Sequence, residues 1–192
     1  WDGETNNHRP MLGICVERTA SNMVWQQEFS AQEQGFLKGH KVGEVPLLPG
    51  TCYIEMARPL VSEVYGRQPF ELHDVQFESI LYLDEHVPKV TLSFQMMTQQ
   101  VVISSQDETT KDEHHAQMIV RLQRKTRPSL CIDVLAQQCT DKHVTREDYY
   151  AICGNKYDGD FRSLQEAWAG NISTVSCVEF TCEETCWPHL RT

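Results

Sequence analysis

Positive charge is scarce in this chain: of 192 residues, 17 are lysine or arginine against 27 aspartate or glutamate, a formal net charge of −10. A nucleic-acid partner needs a basic face to meet phosphate, so that class is set aside. The same deficit disfavours adhesion to anionic lipid. Long apolar runs are missing too, none approaching the ~20 residues of a membrane span. The first residues, Trp1-Asp-Gly-Glu-Thr-Asn-Asn-His8, lack the basic and apolar regions of a signal peptide. There is no initiating methionine, which reads as a piece cut from a longer polypeptide. The expectation is a soluble, cytoplasmic chain with no membrane and no nucleic-acid partner.

Cysteine, by contrast, is plentiful, with eight residues. Cys15, Cys52, Cys131, Cys139 and Cys153 stand singly among apolar residues, as buried thiols do, and no disulfide framework is read from them. Cys177, Cys182, Cys186 and His189 cluster near the end, and the last three have spacings that could meet zinc. No Cys-x-x-Cys pair accompanies them, and no metal site is expected.

The densest chemistry lies in residues 36–58. His40 is followed by Gly43, by Pro46, Pro49 and Gly50, and then by Thr51, where an apolar helical pattern begins. The prolines and Gly50 force a rigid, extended turn, after which Thr51 is expected to serve as N-cap. A histidine is thereby presented beside a helix N-terminus, whose free N–H groups and dipole suit a carbonyl oxygen gaining negative charge. Tyr53, Met56, Ala57, Leu60, Val61 and Val64 recur at helical steps, so the helix is predicted over Thr51–Tyr65, with Gly66 as its stop. Pro59 lies inside it and should kink it or divide it into two shorter helices.

The stretch His40-Lys-Val-Gly-Glu-Val-Pro-Leu-Leu-Pro-Gly-Thr51 resembles the signature of polyketide synthase dehydratase domains, in which a histidine precedes a glycine and a Pro-Gly-Thr that opens a central helix. Pro49 stands at the family's spacing from His40, whereas Gly43 comes one residue before the family glycine, whose place Glu44 takes. His8-Arg-Pro-Met-Leu-Gly13 is similar to the family's opening His-Pro-Leu-Leu-Gly. Gly154-Asn-Lys-Tyr-Asp-Gly-Asp-Phe161 resembles its second marker, with Tyr157 at the tyrosine that helps place the substrate. Asp158-Gly159 replaces the Gly-Pro of that marker.

The remaining pattern is read element by element. Strands are expected at Ile14–Glu17 and Met23–Phe29, then over Glu71–Leu83, Lys89–Thr98, Val101–Ser105 and His114–Leu122. On the last of these, His114 and His115 point to opposite faces, one of them buried. His73-Asp74 reads as the polar face of a strand. The chain should stay helix-poor until Thr145, which caps a short helix with Asp148 at its third position and Gly154 as its stop. A strand over Asn171–Thr181 follows; Asn171-Ile-Ser173 matches a glycosylation sequon, but no secretory signal serves it.

The expected class is α+β: a first hotdog, an antiparallel sheet wrapped around a long helix, over residues 1–123, a linker over 124–146 and part of a second hotdog over 147–192. The resemblance implies elimination of water from a 3-hydroxyacyl thioester carried on the phosphopantetheine of an acyl carrier protein, with no cofactor bound by the domain itself. His40 would be the base, and Gly50 and Thr51, or the displaced Gly43, would hold the thioester oxygen. The acid would be an aspartate past Thr192, leaving this piece inactive alone. Neighbouring synthase domains, and a homodimer through the parent synthase, would be its other partners. Two further readings are a catalytically silent dehydratase-like docking module and a related hotdog that templates cyclisation.

Overall fold

A computed structural model describes residues 11–83, 87–106, 112–123, 131–171 and 173–179. In chain order the strands and helices are β1 (Ile14–Arg18), β2 (Asn22–Glu28), β3 (His40–Val42), β4 (Val45–Pro46), α1 (Gly50–Tyr65), β5 (Phe70–Phe77), β6 (Lys89–Gln95), β7 (Gln100–Gln106), β8 (Glu113–Leu122), α2 (Ile132–Gln138), β9 (Lys142–Thr145), α3 (Arg146–Ile152), β10 (Lys156–Tyr157), β11 (Leu164–Ala169) and β12 (Thr174–Val178). They divide into two compact units, one comprising Trp1–Lys38 with Val45–Thr126, the other Gly39–Glu44 with Arg127–Thr192.

The first unit is built on an antiparallel six-stranded sheet in the order β1-β2-β6-β7-β8-β5. Strict alternation makes one face of it apolar: Val90, Leu92 and Phe94 on β6 and Val101 and Ile103 on β7 are buried, and their sequence neighbours are not. The stripe Tyr53, Met56, Ala57, Leu60 and Val61 of α1 joins them in one core, together with Ala116, Met118 and Val120 of β8. Burial of this kind stabilises by roughly 1.5–3 kcal/mol for each large apolar side chain. Trp25 Nε1 donates to Glu63 Oε2 at 3.2 Å, and Arg18 pairs with the same carboxylate, tying the last turn of α1 to the β1–β2 hairpin. A helix laid along an antiparallel sheet is the first-hotdog arrangement expected.

Two helix expectations are corrected here. Thr51 is not the N-cap: α1 opens at Gly50, and Pro49 occupies the cap position with extended backbone, its carbonyl accepting from the Cys52 N–H at 2.9 Å. A proline fits because a cap needs no N–H and favours extended backbone. Nor does Pro59 divide the helix, which runs unbroken for 16 residues and stops at Gly66 with φ +79°. The buried stripe on both sides of Pro59 outweighs the one hydrogen bond it removes. Farther on, the run Glu71–Leu83 forms a strand only to Phe77; Leu81 and Leu83 are buried outside the sheet ladder, where the Leu48 and Leu83 N–H groups bond the carbonyls of Leu81 and Pro46.

β8 carries a bulge. Ile103 pairs with Ala116 but Ser104 pairs with His114, leaving His115 as the extra residue, so that His115 and Ala116 are both buried while His114 is exposed.

In the second unit β11 is flanked antiparallel by β9 and β12. The Thr145 hydroxyl accepts from the Asp148 N–H at 3.2 Å and opens α3 as expected, although the helix ends at Ile152 with Cys153, not Gly154, as its C-cap. α2 is a helix where none was expected; it is seven residues long and none of its side chains is buried. The strand read as Asn171–Thr181 spans Thr174–Val178. His8, Cys182, Cys186 and His189 lie outside the described residues. Among the described residues no helix is long and apolar enough to cross a membrane.

Candidate functional site

The first feature that shapes the second unit's site is a backbone contact. β3 and β10 pair antiparallel, with Tyr157 opposite His40 and Lys156 opposite Lys41, and the Asp158 N–H continues the ladder to the Gly39 carbonyl at 2.8 Å. Gly39 is required there: a Cβ on it would stand 2.2 Å from the Asp158 carbonyl oxygen and 3.2 Å from the Phe161 ring. The strands are short, and this close approach brings residues far apart in sequence side by side.

His40 is half-buried between aromatic neighbours. Its ring centroid lies 5.3 Å from that of Tyr157 at 60°, and 5.3 Å from that of Phe161 at 57°. His40 Nδ1 is buried and has no hydrogen-bond partner among the described residues. An unclaimed buried polar atom costs about 1–3 kcal/mol, and such atoms in a folded protein ask for an explanation, a reactive role among them. Burial pushes the His40 pKa below its ordinary value, partly opposed by the residue's own backbone. A dry environment penalises the imidazolium and so favours the neutral ring, the form in which it can accept a proton.

Tyr157 is fixed from the other side. Its hydroxyl accepts from Asn155 Nδ2 at 3.2 Å, and its ring meets the edge of Tyr150 at 6.0 Å. Tyr150 is itself anchored, donating to the Phe161 carbonyl at 3.2 Å and accepting from the Leu164 N–H at 3.1 Å, with the Arg162 guanidinium 5.0 Å above its ring. Tyr157, Tyr150, Lys41, Lys156 and Arg162 contribute to the wall of an open cleft of about 790 Å³. His40 is not among its lining residues.

The sequence departures at this site have local solutions. Gly43 turns the chain at φ +62°, a backbone region that favours glycine, and Glu44 then pairs with Lys156 on the strand beside it. The Lys156 ammonium holds the Glu44 carboxyl below its ordinary range. Asp158-Gly159 forms a tight 3-10 turn, Gly159–Phe161, with the Asp158 carboxylate accepting from the Gly159 N–H at 2.8 Å.

Of the residues singled out from sequence, the second unit thus brings together His40 and Tyr157, with Gly43 three residues along the same segment. Pro49, Gly50 and Thr51 belong to the first unit, where they begin α1; a Cβ on Gly50 would stand 3.1 Å from the Phe77 ring. Phe161 and Gly39 were not singled out as site residues. Phe161 carried a signal, since it falls within the second marker, whereas Gly39 showed none beyond its place before His40.

A family model described as the polyketide synthase dehydratase domain matches residues 9–110. Among curated proteins, a mycocerosic acid synthase-like polyketide synthase of Mycolicibacterium smegmatis is 33% identical over 81 residues, covering 41% of this chain and 4% of that protein. A phthioceranic/hydroxyphthioceranic acid synthase of Mycobacterium bovis is 32% identical over 93 residues, covering 47% of this chain. The chain thus spans about 4% of the length of these curated relatives. Among solved structures, the dehydratase domain from the CurF module of curacin polyketide synthase superposes with TM-score 0.81 at 21% identity, over 95% of this chain and 69% of that one. The dehydratase domain of a mycocerosic acid synthase-like polyketide synthase gives 0.77 at 22% identity, over 92% and 65%. At these identities the structural likeness speaks to the fold, which is the α+β hotdog fold expected.

Proposed function

Because this chain belongs to the family of polyketide synthase dehydratase domains, we propose that it removes water from a 3-hydroxyacyl thioester delivered by an acyl carrier protein, as part of a cytoplasmic synthase. His40 takes the α-proton, which the thioester acidifies; the electron pair forms the Cα–Cβ double bond; the Cβ–O bond breaks, and the oxygen leaves as water after receiving a proton from an acid. The products are a 2-enoyl thioester and water, and no bound cofactor takes part. The observation that carries this reading is the half-buried His40 with its unclaimed nitrogen between Tyr157 and Phe161.

Tyr157, held by Asn155 and Tyr150, places the substrate. The thioester oxygen is assigned to N–H groups at Gly50 and Thr51 after Pro49, or at Gly43, on the sequence resemblance alone; one such donor typically contributes about 3–4 kcal/mol to the transition state. The acid is assigned, on the resemblance, to an aspartate that this chain does not supply; the chain covers 69% and 65% of the two solved dehydratase domains, and alone it is expected not to turn over. The carrier protein, the neighbouring synthase domains and a second copy of the parent chain are its partners.

Replacing His40 with alanine in the parent synthase tests the assignment. Water loss, followed by mass spectrometry of the carrier-bound acyl chain, should fall by at least ~10²-fold, with the melting temperature unchanged. Near wild-type turnover by His40→Ala would remove the base. A parent synthase that is itself unable to dehydrate any carrier-bound 3-hydroxyacyl chain would favour the silent module.

A further inference from the structure

We propose that Asp158 is a positioning residue for His40, its carboxylate fixing the tight turn that sets the Phe161 ring against the imidazole. The proposal rests on reading His40 as the base, and it concerns a residue that does not belong to the dehydratase marker.

Three bonds meet at Asp158. Its N–H donates to the Gly39 carbonyl at 2.8 Å, joining the turn to the residue before His40. Its carbonyl accepts from the Phe161 N–H at 3.2 Å, joining the turn to the aromatic ring. Its carboxylate accepts from the Gly159 N–H at 2.8 Å, and the Arg162 N–H closes the turn on the Gly159 carbonyl at 3.0 Å. Gly159 sits at φ +52°, where glycine goes readily. The strand that carries His40 and the ring that covers it are therefore held by one short clasp. In the dehydratase marker a Gly-Pro pair occupies these positions, and a proline restrains a turn through its ring. Here the Asp158 side chain, bonded to the N–H of the next residue, restrains the first peptide of the turn instead. A restraint of this kind can be removed by changing one atom group, which makes it testable.

Loosening the clasp lets Phe161 swing away and water reach the imidazole. The ring then regains the charged form more readily, since burial is the main cause of its lowered pKa. The other titratable groups on the elements around it are Tyr157 on the facing strand, Asp158 and Asp160 in the turn, Lys41 and Glu44 on its own segment, and Lys156 beside them.

The test is an NMR titration of the His40 ring carbon–proton signal in this chain, in Asp158→Ala, Asp158→Asn and Phe161→Leu, each with a melting curve, and kcat and KM in the parent synthase. Asp158→Ala and Phe161→Leu should both move the His40 midpoint upward. In the parent they should lower kcat about tenfold with little change in KM, a part of the ~10²–10⁴ that a general base supplies, and shift the acid limb of the rate profile upward. Asp158→Asn keeps an acceptor oxygen and should behave as wild type in every readout. If Asp158→Ala lowers the melting temperature but leaves the His40 titration in place, Asp158 is only a turn stabiliser and the proposal fails. If the titration shifts while the wild-type parent shows no dehydration, Asp158 still positions the ring and the error lies in the activity.

Discussion

His40 and His115 are both drawn out of water, and in both burial lowers the pKa from its ordinary value, yet their surroundings differ in kind. His115, fully buried in the first unit, has both nitrogens engaged: Nε2 with the Ser105 hydroxyl at 2.8 Å and Nδ1 with the Ser79 hydroxyl at 2.8 Å. Ser79 spends its own proton on the His114 carbonyl at 2.7 Å. Nδ1 must therefore donate to the Ser79 oxygen, and the neutral ring's Nε2 accepts from Ser105. Tyr53 stacks on the ring at 6.3 Å, with the planes 9° apart. Nothing is left for a substrate. His40 is less buried but keeps one nitrogen unclaimed. Burial alone therefore does not separate the proposed base from a structural histidine; the state of its hydrogen bonds does.

The comparison is broken most directly by removing the saturated ring. His115→Ala leaves a cavity in the core and strips partners from two hydroxyls, and should cost about 3 kcal/mol. Denaturant unfolding of this chain would read that cost. His40→Ala, by contrast, removes no hydrogen bond of Nδ1 and should change stability by less than about 1 kcal/mol. Equal losses in the two variants would mean that the two histidines do the same structural work.

A smaller effect of opposite sign is expected next door. The Tyr53 hydroxyl is buried without a hydrogen-bond partner among the described residues, and burial, ahead of the neighbouring Cys52 and Glu113, pushes its pKa upward. Tyr53→Phe keeps the ring that stacks on His115 and deletes the unsatisfied group, so it should stabilise by about 1 kcal/mol. A loss of stability in that variant would show that the hydroxyl has a partner in solution and that saturation in this core extends beyond His115.

The elements that hold His115 were legible in the sequence wherever one face is buried. Val90, Leu92 and Phe94 alternate, and the α1 stripe recurs at helical steps, so β6 and α1 could be read directly. The bulge that turns both His115 and Ala116 inward could not be read, because it adds a single residue without disturbing composition. α2 was missed because its seven residues are too short a window for a helical period to stand out, although Ile132, Leu135 and Ala136 fall at helical steps. That His40 and Tyr157 belong together was legible only through resemblance: no local pattern announces that Tyr157 will stand opposite His40, since strand pairing between distant segments leaves no trace in either. The clasp at Asp158 lay at the position where the marker and the chain disagree.

The pH dependence of stability sharpens the comparison at its finest scale. For each ring the folded-state pKa lies below the ordinary value of 6.5, with burial as the largest cause. For His115, hydrogen bonding with Ser79 and the nearby Glu113 charge work the other way, and His114 adds to the lowering. The unfolded chain therefore binds more protons at these two positions than the folded chain does. Stability rises with pH wherever that holds, so the contribution of each ring is fully present above the unfolded value and is lost as pH falls through the folded one. Between about pH 7 and pH 5, where carboxylates of ordinary pKa remain ionised, each ring should add a slope of at most ~1.4 kcal/mol per pH unit. His115→Gln and His40→Ala should each flatten the curve of unfolding free energy against pH in this window. A window slope unchanged by His40→Ala would mean that its ring is protonated no less readily in the folded chain than in the unfolded one, and the neutral base would be lost with it.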